Sequence, residues 1–348
     1  GQVVGVLDGW ALIAATPQAG ERMLGQVLRA RNPEELAEIT ARIPTLLRSL
    51  RATGIKGPHL SRFLSAVLDS VCQRALAWAQ AELGPPPGRF AWVALGSHGR
   101  GELGLASDQD HALILEDGAP VEPFLALGRH LSRTLAAAGW RLCTGGVMAG
   151  EVAYTQEVTA WKRQFSRWIH AGEPKDLLDV HIGFDLRFLA GDPALVEDLG
   201  AHIRDAVAAH PPFLPLLAQA AQQTRPVLTK LGAIALEGED RLDLKNALGR
   251  LVNAVRIYAL RAGASATGTL DRLEALRRVD PRLETDHPNL VSTLELLLGL
   301  RLQAHLESGT NLLDLRRLSE VDRAALKRAL SQVDLLNTRL ASDFLGRT

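Results

Sequence analysis

The chain is expected to be an α+β protein: a mixed sheet with flanking helices, preceded by a helical lead-in and followed by an all-helical domain. Three observations carry that expectation. Between residues 85 and 195, short apolar runs alternate with glycine-rich turns and amphipathic stretches, as strands and helices in succession do. GPPPG at residues 84–88 is a boundary, because three consecutive prolines forbid both helix and central strand. Beyond Ala194, Leu, Ala, Arg and Glu dominate and no strand-like alternation survives.

Taken in order, Gln2 to Ala15 read as a strand, turn and helix fragment too small to be a domain. Asn32-Pro33 opens a helical region in which Leu36, Ile39, Ile43, Leu46, Leu47 and Leu50 recur at helical spacing, and a second helix follows from about Leu60 to Leu83. After the proline boundary come a strand at Phe90–Leu95, a glycine-rich turn, and a strand at His111–Leu115. A helix is expected from about Glu122 to Ala138, ended by Gly139, then a short strand at Trp140–Cys143. Trp161, Phe165, Trp168 and Ile169 lie at helical spacing and read as core. Lys162, Arg163 and Arg167 on the same helix are either a solvated basic face or phosphate contacts. Val180–Leu189 is the last strand candidate, closed by Gly191-Asp192-Pro193.

The 348 residues are 47% hydrophobic, enough for two or three domains with their own cores. Lys+Arg and Asp+Glu both total 39, so no global positive field draws nucleic acid or anionic lipid, and any phosphate site must be made locally. The two cysteines, Cys72 and Cys143, are far apart and in no metal-ligand spacing, which fits a reducing compartment. No apolar run approaches a membrane span, and the start lacks the marks of a signal peptide. A cytoplasmic protein is expected. Because the chain begins at Gly1 rather than Met, it reads as a piece of a longer protein.

The chemistry is concentrated in Phe90–Leu115, FAWVALGSHGRGELGLASDQDHALIL. On a strand Asp108 and Asp110 project together while Gln109 points away. Two adjacent carboxylates repel, so a cation between them is expected, and an oxygen-only pair suits Mg²⁺ or Mn²⁺, the ions that hold triphosphates. Gly99-Arg-Gly-Glu-Leu-Gly104 formally matches G-x-G-x-x-G, but a dinucleotide turn opens a helix, whereas here the next apolar run follows almost at once. A P-loop is excluded because no Gly-Lys-Ser or Gly-Lys-Thr occurs.

An apolar strand, Gly-Ser, about ten residues and then Asp-x-Asp leading a strand resembles the nucleotidyltransferase fold of the DNA polymerase beta superfamily. GSHGRGE and SDQDHALI, with CTGGVMAGE, WKRQFSRWI, FDLRFLAGD and DLKNALGRLVNAVRIYALRAG, resemble bacterial nucleotidyltransferases related to PII uridylyltransferase, a group often fused behind CBS or cyclic-nucleotide-binding domains. Nearly the whole chain is covered. The resemblance implies a CBS-like remnant at 1–20, a helical lead-in at 21–84, a catalytic domain at 85–195 and a helical substrate-binding domain at 196–348. Two positions depart from the family pattern: Leu103 stands where Gln is usual and His111 where Asn is usual. Neither is a metal ligand. His111 falls on the opposite strand face from the carboxylates, where a structural histidine is expected.

By that resemblance Gly96 lets the backbone approach a triphosphate, Ser97 offers a hydroxyl and an N–H to phosphate, and Arg100 clamps two phosphate oxygens. Glu102 orients Arg100 or a loop amide. Asp108 and Asp110 bind metal for attack on the α-phosphate and departure of pyrophosphate. A third carboxylate usually completes such a site. Asp185 is the candidate for metal ligand and general base, against the alternative of a plain Asp–Arg pair with Arg187, and Glu151 is its rival. In the helical domain Lys245, Gly249, Asn253 and Arg256 form one polar stripe on an otherwise apolar helix, which suggests a cleft contacting nucleotide or acceptor. The expected activity is transfer of NMP from NTP, UMP by resemblance, to a hydroxyl of a PII-like protein or a small molecule. The alternative is a nucleotide-sensing module acting in signalling. Nucleic acid and membrane insertion are not expected; an oligomer is left open.

Overall fold

The computed structural model describes residues 17–171, 181–238 and 240–346. The expected fragment of an upstream module, apart from its last few residues, lies outside them. In chain order the elements are α1 Pro17–Arg29, α2 Pro33–Thr40, α3 Ile43–Ala52, α4 Gly57–Leu83, β1 Phe90–Ala94, α5 Gly96–Gly99, β2 Asp108–Gln109, β3 His111–Leu115, α6 Val121–Ala137, β4 Arg141–Leu142, β5 Thr155–Glu157, α7 Val158–Ala171, β6 Arg187–Gly191, α8 Pro193–Ala209, α9 Phe213–Gln222, β7 Arg241–Asp243, α10 Leu244–Arg261, α11 Thr269–Leu276, α12 Pro281–Ser308, β8 Leu312–Asp314 and α13 Glu320–Leu345.

The lead-in begins as its sequence dictates. Asn32 caps α2 by accepting the Glu35 N–H at 2.8 Å, with Pro33 in the first turn. What reads as one helical region from Pro33 to Leu50 is two helices. Pro44, in the first turn of α3, has no N–H to continue α2.

The central sheet is mixed, with strand order β5-β3-β1-β6. β1 is antiparallel to both β3 and β6, while β3 and β5 are parallel. All five residues of β1 and of β3 are buried, and strand alternation sends them to two different cores. Phe90, Trp92, Leu113 and Leu115 pack with the lead-in helices and α6. Ala91, Val93, Ala112 and Ile114 pack with α7, where Trp161 and Phe165 are core as expected, and with the C-terminal helices. Trp161 also donates its indole N–H to the Leu113 carbonyl at 3.0 Å.

Two expectations are corrected. The strand proposed at Val180–Leu189 begins only at Arg187; His181–Gly183 are helical, and Phe184 and Asp185 form the turn between. Alternating apolar and polar residues there reflect contacts with two different neighbours, not a pleat. The C-terminal region is helical but carries one short antiparallel pair, β7 with β8, whose Asp243 caps α10 by accepting the N–H groups of Lys245 and Asn246.

Candidate metal and phosphate site

β1 delivers the chain to Gly96, which adopts φ +54°; a Cβ there would approach Asp110 Oδ2 to 3.0 Å. Glycine therefore serves both the left-handed backbone and the close approach. The turn is tied to the second carboxylate, since the Leu95 N–H donates to the Asp110 carbonyl at 2.9 Å. Asp108 lies in β2, Asp110 in the break before β3, and Gln109 faces the interior between them. On that opposite face His111 is buried. Its Nδ1 accepts from Trp92 Nε1 and from the Ala149 N–H, so Nε2 carries the proton and donates to Gln109 Oε1 at 3.1 Å. Burial, and then the charge of His98, push its pKa down to about 3; it is a neutral structural histidine.

All ten residues expected at the site line one cavity of about 310 Å³: Gly96, Ser97, Arg100, Glu102, Asp108, Asp110 and Asp185 from one side, Lys245, Asn253 and Arg256 from α10 on the other. Glu151 does not; it is exposed and lies outside the lining. Neither do Lys162, Arg163 and Arg167; Lys162 pairs with Asp198 at 2.7 Å. A larger cavity of about 500 Å³ lies behind the Gly104–Ala106 loop, but no carboxylate lines it. The site belongs to the smaller one, where the charged groups converge.

Asp108 and Asp110 stand without a cationic partner among the described residues. Burial, and then the charge of Asp108, raise the Asp110 pKa to about 6, the mark of two carboxylates sharing a place that a cation would neutralise. One ligand atom each from Asp108, Asp110 and Cys143 lie within 4.8 Å of one another, so this trio fits a divalent metal ion. Cys143 is the member that sequence spacing did not reveal.

Asp185 is placed otherwise than expected. It is fully buried, and its two oxygens accept from Arg100 Nη1 at 2.5 Å, Arg272 Nη1 at 2.7 Å and Arg256 Nε at 3.0 Å, with Arg256 Nη2 also bonded. Burial alone would raise its pKa, but the guanidiniums of Arg256, Arg100 and Arg272 overcome this and hold it well below the carboxylate range. Three guanidiniums saturate the carboxylate, so it is a poor third metal ligand and a poorer base. Nor does it pair with Arg187, which binds Asp69 of α4 at 2.9 and 3.0 Å.

Glu102 Oε2 accepts from Arg100 Nε at 2.7 Å, as expected, and its Oε1 accepts the Thr269 N–H at 2.8 Å, at the first residue of helix α11 rather than in a loop. Arg256 also donates to Asn253 Oδ1 at 2.7 Å. Among the described residues, the cations lining the cavity that have no acidic partner are Lys245 and Arg301. Arg301 is 9% exposed and its Nε donates to Asn311 Oδ1 at 2.9 Å. Burial, and then the charge of Arg100, lower its pKa to about 10, which leaves it charged near neutrality. Its signal in the sequence is a lone arginine inside the leucine run of α12.

A mixed sheet whose Gly-Ser turn faces paired carboxylates, closed by a helical domain, defines a nucleotidyltransferase fold. Residues 41–175 match the family model described as "Putative nucleotidyltransferase DUF294", and residues 211–344 match "Putative nucleotidyltransferase substrate binding domain". By these two matches, which together cover most of the chain, it belongs to the DUF294 nucleotidyltransferases. No curated protein matches it. Among the described residues no helix is long and apolar enough to cross a membrane.

Proposed function

We propose that this chain moves a nucleoside monophosphate from a nucleoside triphosphate to a hydroxyl of a protein or small-molecule acceptor. The acceptor oxygen bonds to the α-phosphorus, the bond from that phosphorus to the bridging oxygen breaks, pyrophosphate leaves, and the acceptor proton passes to solvent. The observation that carries the reading is the single cavity lined by Asp108, Asp110 and the Gly96-Ser97 turn together with Lys245 and Arg301, two cations that have no acidic partner among the described residues. The resemblance of the GSHGRGE and SDQDHALI motifs to those of relatives of PII uridylyltransferase favours UMP and a PII-like acceptor. We assign residues 21–84 to the lead-in, 85–195 to catalysis and 196–348 to substrate binding, in a cytoplasmic protein.

Asp108 and Asp110 would hold the divalent ion, Mg²⁺ or Mn²⁺, which when bound offsets phosphate charge during attack and departure. Ser97 offers its hydroxyl to a phosphate oxygen. Lys245 and Arg301 are, among the described residues, the free charges for the triphosphate; Arg100 and Arg256, bound to Asp185, contribute a fixed positive wall. Incubating the protein with each of the four triphosphates, Mg²⁺ or Mn²⁺ and candidate acceptors, then weighing the acceptor by mass spectrometry, tests this. The added mass names the nucleotide. No adduct with any combination, alongside equal nucleotide-metal binding by wild type and an Asp108→Ala/Asp110→Ala double variant, defeats the reading.

One observation favours a second reading. Asp185 is committed to three arginines, and among the described residues no third carboxylate joins the metal trio. This suits a module that binds nucleotide and signals. It predicts metal-dependent nucleotide binding without release of pyrophosphate.

A further inference from the structure

We propose that Cys143 is the third protein ligand at the Asp108–Asp110 centre, through sulfur, and that it biases the site toward divalent transition ions over Mg²⁺. The inference rests on the reading that the two carboxylates bind metal, and adds which metal they take.

Backbone pairing places the sulfur. β4 runs parallel to β2 with Asp108 opposite Arg141 and Gln109 opposite Leu142, and Asp110 and Cys143 are the residues that follow the two strands where this short ladder ends. The sulfur lies within 4.8 Å of a ligand oxygen from each carboxylate. Metal–oxygen bonds of about 2.0–2.2 Å and a metal–sulfur bond of about 2.3 Å suit ligand atoms at that separation. Among the described residues no other group of three His, Cys, Asp or Glu side chains meets this geometry.

The donor set decides the ion. Two carboxylates alone suit Mg²⁺; a thiolate shifts preference toward softer ions such as Co²⁺ or Zn²⁺. As the sulfur–metal bond forms, the S–H bond breaks and its proton goes to solvent, so charge and atoms balance without an oxidant. Cys72, the other cysteine, is buried in α4 within the lead-in core and provides an internal control.

Anaerobic titration of the whole protein with Co²⁺ tests the assignment. Wild type and Cys72→Ala should show a sulfur-to-cobalt charge-transfer band in the near ultraviolet that saturates at one thiolate per chain. Cys143→Ser should lose the band. It should also bind Co²⁺ more weakly by at least the roughly tenfold that even outer-shell changes cost, with Mg²⁺ affinity unchanged. A folded Cys143→Ser protein that keeps the band, or wild type that binds Co²⁺ without it, overturns the proposal. Nucleotidyl transfer supported by Mg²⁺ with no sulfur band would leave the proposed function standing and remove Cys143. The band without transfer under any metal would do the reverse.

Discussion

Arg272 Nη1 donates to Asp185 Oδ1 at 2.7 Å, while Arg272 Nη2 donates to the Phe184 carbonyl at 2.9 Å. Through this fork α11 of the C-terminal region grips the turn that carries Asp185. Arg100 grips the same carboxylate from the Gly96–Gly99 side. The two regions that wall the cavity are thus joined through one buried side chain.

Removing Asp185 should therefore destabilise the fold. Asp185→Ala leaves three guanidiniums facing one another, and breaking a buried ionic cluster from one side costs about 3–5 kcal/mol. Denaturant unfolding at neutral pH should show a loss of that order. The native carboxyl pKa is held below its unfolded value, so its stabilisation is full above the unfolded pKa of about 3.9 and fades as acid drives the pH toward the native value. Asp185→Asn, if folded, should show a flatter loss of stability below about pH 4.

Asp110 behaves in the opposite sense. Its pKa in the metal-free protein is raised to about 6, so the native state holds a proton that the unfolded chain has already released. Stability of the metal-free protein falls as pH rises from about 4 to 6 and stays reduced above that. Asp110→Asn should be more stable than metal-free wild type at pH 7 by about 1–3 kcal/mol, measured by urea unfolding with chelator present. The same variant should lose metal-dependent nucleotide binding.

Arg301 and Lys245 should select for phosphate number. Replacing either by Met removes a charge-assisted contact of about 1.5–3 kcal/mol, a loss of roughly tenfold to a hundredfold in triphosphate affinity. Isothermal titration should show a smaller loss for the monophosphate. Equal losses for the two ligands would place these side chains away from the β- and γ-phosphates.

Gly99→Ala should be among the more damaging small changes in the chain. A Cβ at Gly99 would lie 1.7 Å from the Asp185 carbonyl oxygen, and backbone on backbone has little room to yield. Forced overpacking of this kind costs about 1–3 kcal/mol or more. Thermal unfolding should show the drop, and a wild-type melting temperature would contradict the close packing of the loop on the 184–186 turn.

Local chemistry made much of this molecule legible. Asn32-Pro33, the triple proline, Asp108-x-Asp110 and the polar stripe of α10 all act through neighbours within a turn or a strand, so their patterns survive in one dimension. Asp185 did not, because its partners, Arg100, Arg256 and Arg272, come from distant segments that only the folded chain assembles. Arg187, its apparent neighbour, is claimed by Asp69 of the lead-in. Cys143 was dismissed on spacing for the same reason: it reaches Asp110 through the pairing of β4 with β2, which no sequence interval encodes. Arg301 left a local trace, a charge where α12 is otherwise leucine, but its target lies across the cavity.

The two faces of the β1–β3 pair give this protein an indivisible melt. Since Trp92 and Leu113 belong to the lead-in core while Val93 and Ile114 belong to the core shared with the C-terminal helices, neither body of apolar residues can dissolve without stripping one side of the same strands. A calorimetric trace of the whole chain should be a single peak, and separating the lead-in at the proline boundary would leave Trp92 and Leu113 covered on that side by α6 alone.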